Sequence, residues 1–161
     1  MYVMIRKLLD GPLKGFPDLP PVWLLGALAA AWTIDRGLPL VQAFGPAYHV
    51  AGGLLMLAGL ALIGWSAWWF WSKRTTIEPH HTPTELIVEG PYRLSRNPIY
   101  LALLAILVGY VLRLGSLGPL LLPVAFYWIL TRRFIEPEEA TLRRVFGAEA
   151  HRYLARTRRW I

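Results

Sequence analysis

Apolar residues in this chain are gathered into four blocks separated by polar and basic punctuation. This segregation constrains the fold more than any single motif. A bilayer core about 30 Å thick takes roughly 20 apolar residues per helical crossing, and without water the backbone must satisfy its own hydrogen bonds. The blocks are Leu19–Ile34, Pro46–Trp71, Pro98–Leu112 and Leu117–Ile135. The first, at 16 residues, is marginal for a span: either it crosses a thin region or Leu38–Phe44 helps complete it. The second ends in Trp65, Trp68, Trp69, Phe70 and Trp71, followed by Lys73 and Arg74, which is the pattern of an interfacial aromatic belt. Its glycines, Gly52, Gly53, Gly59 and Gly64, suit close helix approach. The last two blocks are separated only by Arg113-Leu114-Gly115-Ser116, which predicts a tight helical hairpin.

Composition agrees. Of 161 residues, 55% are hydrophobic and 17% charged, whereas a soluble domain carries about a quarter charged. Disorder and an ordinary soluble enzyme are excluded as first readings. With no cysteine, so are disulfides, thiolate nucleophiles and Cys-ligated metals. The net charge of +7 points to an anionic lipid surface in so apolar a chain, and no nucleic-acid partner is expected. With four spans, fifteen of the 17 basic residues fall on one side, leaving Arg36 and Arg113 opposite. The positive-inside rule then places both termini and the polar segment Thr75–Asn97 in the cytoplasm. The expected fold is all-α: a polytopic membrane protein with about four transmembrane helices and a cytosolic C-terminal helical segment, Glu136–Ile161. We read it as one domain, 1–161, with N-terminal spans in 1–72 and the functional core in 73–161.

Two cytosolic segments carry candidate chemistry. In Gly90-Pro91-Tyr92-Arg93-Leu94-Ser95-Arg96-Asn97-Pro98-Ile99-Tyr100, Asn97 is a good N-cap and Pro98 fits a first helical turn. The free N–H groups there, beside Arg96, suit a carboxylate or phosphate. An ordinary capped helix with cytosolic arginines accounts for the same residues. In Glu136-Pro137-Glu138-Glu139, acids in a first helical turn complement the dipole. Yet Glu139, Leu142, Phe146, Glu149, Tyr153 and Arg156 recur at helical spacing, with Gly147 placed to bend the helix back. Arg152, Arg156, Arg158 and Arg159 with Trp160 and Ile161 also read as a membrane-surface anchor. His80-His81 is a poor metal site, and no metal is expected.

These segments, in this order and with a helical hairpin between them, resemble the isoprenylcysteine carboxyl methyltransferase and phospholipid methyltransferase family of integral membrane enzymes. The matching residues run from Thr75-Thr76-Ile77-Glu78-Pro79 through Gly90-Pro91-Tyr92, Ser95–Tyr100, Glu138–Leu142, Phe146-Gly147 and Tyr153 to Arg159-Trp160-Ile161. The resemblance implies an S-adenosyl-L-methionine-dependent methyltransferase, releasing S-adenosyl-L-homocysteine, with a cytosolic cofactor pocket. It implies cofactor contacts at Gly90, Pro91, Tyr92, Arg96, Asn97, Pro98, Tyr100, Glu138 and Glu139, with Arg156 and Glu139 as candidate catalytic residues. Prenylcysteine-methylating members commonly have His where this chain has Asn97, and another His where it has Thr84, so the acceptor stays open among carboxylate, amine, thiol and phospholipid headgroup. A lipophilic substrate would enter from the bilayer, and a bacterial or archaeal inner membrane is the expected location. The competing readings are an NADPH-dependent membrane sterol or enone reductase, against which the paired acids argue, and a non-enzymatic membrane scaffold.

Overall fold

The computed structural model describes residues 18–37, 43–73 and 86–161. Residues 75–85 of the polar Thr75–Asn97 segment, with His80, His81 and Thr84, lie outside them, as do Leu38–Gln42. The described residues are helical: α1 spans Pro20–Gly37, α2 Pro46–Ser72, α3 Pro98–Leu114, α4 Leu121–Ile129 and α5 Glu136–Arg156. Short 3-10 turns cover Gly90–Arg93 and Gly118–Leu120, and a π-helical stretch, Leu130–Ile135, joins α4 to α5.

Each boundary has a local cause. Gly45-Pro46 and Asn97-Pro98 put proline in the first turn of α2 and α3, where its missing N–H costs nothing. Gly115 ends α3 in the left-handed conformation at φ 83°, as a glycine C-cap does, and turns the chain into the expected hairpin. The expected helix start at Glu136-Pro137 is instead a change of helix type. Ile135 and Glu136 both keep helical dihedrals, and the Glu136 N–H bonds the Thr131 carbonyl five residues back. Proline crowds the carbonyl four residues before it and cannot donate to it. The wider π winding just ahead of Pro137 relieves that conflict, so the helix continues.

The central element is α3. On one side α1 and α4 pack against it, contributing Leu24, Ala31 and Phe126 to a core with Leu103, Ile106, Leu107 and Val111. On the other side lies α2, which buries only Gly52, Gly59 and Ser66. A Cβ on Gly52 would sit 2.4 Å from the Gly109 carbonyl, and one on Gly109 2.5 Å from the Gly52 carbonyl. Glycine therefore sets the backbone-to-backbone approach, as expected for Gly52 and Gly59, whereas Gly64 faces open space. Direct contact between α1 and α2 is sparse, and each packs on α3 instead.

The expectation of four spans meets a narrower finding. Among the described residues one helix, α2, is long and apolar enough to cross a membrane by itself. Helix α1 has Asp35 and Arg36 in its last turn, α3 stops at 17 residues, and α4 has nine before the winding changes. Only 17% of the most apolar stretch of α2 is buried. Leu54, Leu57, Leu60, Trp65, Trp68 and Trp71 are exposed along it, continuing over Leu25 and Trp32 of α1 and Leu121, Val124 and Trp128 of α4. A band of that extent marks a surface covered by something apolar.

Candidate functional site

A cavity of about 280 Å³ opens where α1 begins, α2 ends, and α3 and α5 begin. Leu19, Pro20 and Pro21 form one wall, Phe70 of α2 and Tyr92 another, and residues 96–100 with Leu103 the floor. Among the described residues Glu138 is the one acid on the lining. Of the residues singled out from sequence, Tyr92, Arg96, Asn97, Pro98, Tyr100 and Glu138 come together here.

The Gly90–Arg93 turn sets Tyr92. Gly90 has φ 56°, and a Cβ there would fall 1.9 Å from the Trp69 indole nitrogen, so only glycine fits. Pro91 is buried, and its carbonyl accepts from Leu94 and Ser95 N–H. Gly90 and Pro91 thus shape the turn and stand outside the cavity lining. Tyr92 meets Phe70 edge-to-face at 5.7 Å, and its carbonyl accepts from the Tyr153 hydroxyl at 2.9 Å. Burial pushes the Tyr92 and Tyr153 hydroxyls well above the usual tyrosine range, so both stay protonated. A Lys73–Glu89 ion pair at 3.1 Å ties the end of α2 to the start of this turn.

Asn97 occupies the N-cap position of α3, yet its side chain does not cap the helix. Its amide instead donates to the Arg159 carbonyl at 2.9 Å. The first N–H groups of α3 therefore have no side-chain cap beside the cavity, where Ile99 and Tyr100 belong to the floor.

The adjacent acids, both expected at one ligand, face different surroundings. Glu138 turns into the cavity and accepts a short hydrogen bond from the Tyr100 hydroxyl. Burial pushes its carboxyl up to about 7, against the opposing pull of that hydrogen bond. Glu139 is not on the lining; it is 3% exposed among arginines. Arg159 binds it in bidentate fashion (Nε to Oε1 at 3.0 Å, Nη2 to Oε2 at 2.8 Å), Arg96 Nη1 reaches Oε1 at 2.9 Å and Arg143 Oε2 at 3.5 Å. Burial raises the Glu139 carboxyl, but bonding and charge from Arg159 and Arg96 outweigh it and hold the group below its ordinary value.

Arg96 joins this clasp to the tail. Its Nε donates to the Thr157 carbonyl and its Nη2 to the Leu154 carbonyl, both at 2.5 Å, while its N–H bonds the Arg158 carbonyl at 3.0 Å. Ser95 Oγ reaches the Arg159 carbonyl at 3.3 Å, and Trp160 stacks on Tyr127 at 4.9 Å. The expectation that the tail is a surface anchor therefore needs correcting for Arg159 and Trp160, which are tied into the protein. Arg156 is exposed at the end of α5, away from the cavity. The reason is phase: Gly147, at φ 48° and ψ −120°, kinks the helix as expected, but beyond it the buried face is Ala150, Tyr153, Leu154 and Thr157. Glu149 and Arg156 are rotated off it. Sequence reasoning missed Arg159, Ser95 and the Leu19–Pro21 wall; the one available signal was three polar residues in succession, Ser95-Arg96-Asn97, ahead of an apolar helix.

The described residues thus form a helical protein with a broad exposed apolar surface and, at one end of its helices, a cavity lined by one acid and two tyrosines. The profile of the phospholipid methyltransferase family matches residues 47–149, more than half of the chain, from the start of α2 to beyond the Gly147 kink. The chain belongs to that family of membrane methyltransferases. No curated protein and no solved structure matches it.

Proposed function

We propose that the protein is an S-adenosylmethionine-dependent methyltransferase whose cofactor occupies the cavity beside Glu138 and whose acceptor is a lipophilic molecule drawn from the bilayer. The observation that carries this reading is the cavity's division of charge. Glu138, with Tyr92 and Tyr100, offers an anion and aromatic faces to a cationic group. The uncapped start of α3 beside Arg96 offers donors to a carboxylate. The cofactor carries both kinds of group, and when bound it supplies an electrophilic methyl. For this chain's residues the task is alignment and exclusion of water, since in-line transfer gains most from positioning. The acid on the lining disfavours the phosphate-bearing nicotinamide of a reductase.

The apolar Leu19–Pro21 and Phe70 walls are the part of the lining an acyl chain would meet on entering from lipid. In this reading α1, α3 and the 118–135 stretch cross the membrane beside α2, each at the short end of the usual range, with both termini and the cavity in the cytoplasm. The test is calorimetric titration of S-adenosylhomocysteine into detergent-purified protein, with Glu138→Gln alongside. Binding by the wild type is expected, with the variant weakened; a folded wild type that binds nothing overturns the reading.

A further inference from the structure

Arg96 lines the cavity, yet it is also in contact with a buried carboxylate that should cancel its charge. Glu139 lies 2.9 Å from Arg96 Nη1, and a lone buried pair of that geometry would present little net charge to a ligand. The pair is not alone. Arg159 holds both Glu139 oxygens, at 3.0 and 2.8 Å, from a side chain that is not on the cavity lining. With Arg143 3.5 Å from Glu139 and Glu136 3.8 Å from Arg159, the cluster sets three guanidinium groups against two carboxylates, which leaves a net positive charge, and Arg96 is the member at the cavity. The tail carbonyls of Leu154 and Thr157 fix Arg96 Nη2 and Nε, so the guanidinium cannot swing fully onto Glu139.

We propose that Arg159 is a positioning residue for the cavity: by taking up Glu139, it keeps the charge of Arg96 available to the carboxylate of a bound amino-acid-bearing nucleoside. This rests on the methyltransferase reading given above and extends it to a residue beyond the 47–149 match.

The test compares two ligands, S-adenosylhomocysteine and its decarboxylated analogue, which keeps the nucleoside and the amine but lacks the carboxylate. Each is titrated against wild type, Arg159→Gln, Arg159→Lys and, as an exposed-arginine control, Arg152→Gln, with a melting curve for every protein. Arg159→Gln is expected to weaken the first ligand about tenfold, the scale of one charge-assisted contact, and to leave the analogue within about twofold. Arg159→Lys, which restores the charge, recovers most of the loss, and Arg152→Gln matches wild type. Equal weakening of both ligands, no weakening of either, or a lysine variant no better than glutamine overturns the proposal, as does an Arg159→Gln that fails to fold. A folded wild type that binds neither ligand is a separate result: it overturns the methyltransferase reading, and this proposal with it.

Discussion

At Glu138 a carboxyl group faces an apolar cavity with a tyrosine hydroxyl as its hydrogen-bond partner, and burial carries it up to about 7. A cation pairs with the ionised form alone. Wild-type affinity for S-adenosylmethionine should therefore rise roughly tenfold between pH 6 and 8, and Glu138→Gln should be weaker and flat across that range. A flat wild-type profile would contradict the assignment. The sign for stability is opposite. The folded carboxyl keeps its proton where an ordinary one, near 4.5, has lost it, so stability falls as pH rises from about 5 to 7. Glu138→Gln should melt above wild type at pH 8, with the gap closing by pH 5. One position on, Glu139→Ala leaves Arg96 and Arg159 without their shared counter-charge and should cost about 3 kcal/mol in detergent unfolding. Both acids were legible in the sequence as a pair, but their division was not. One residue turns a helix by about 100°, and only the position of the tail decides which acid meets arginines and which meets the cavity.

Among the elements, the contact between α2 and α3 depends on glycine more than on side-chain volume. Gly52→Ala or Gly109→Ala pushes a methyl group into a facing carbonyl and should cost about 1–3 kcal/mol. Gly64→Ala, in open space, should be neutral or slightly stabilising, since alanine is the better helix former. Thermal unfolding of the three variants in one detergent checks the contrast. Helix positions and the hairpin were readable because apolar blocks, prolines at first turns and Gly115 all act locally. The face of α5 was not. The kink at Gly147 could be anticipated, but its two dihedrals set the phase beyond it, and those place Tyr153 and Thr157 inside and Arg156 outside.

Taken whole, the molecule presents an apolar girdle over α1, α2 and α4, with its polar site at one end of the helices. The sequence contains no cysteine, so topology is open to single-cysteine labelling without background. If both termini are cytoplasmic, Arg152→Cys should react with an impermeant maleimide only from the cytosolic side and Arg36→Cys only from the other. Reaction of both from one side contradicts the orientation. The apolar blocks made the girdle legible from the start, whereas the tie between tail and cavity joins residues some sixty positions apart by main-chain carbonyls, which leave no trace in composition or spacing. Helix runs without a break from α4 through the π stretch into α5, so a segment proposed to cross the bilayer also carries Glu138. A change in bilayer thickness that tilts such a segment must swing that carboxylate with it. On the proposed topology, affinity for S-adenosylmethionine should therefore differ between nanodiscs of short- and long-chain lipids.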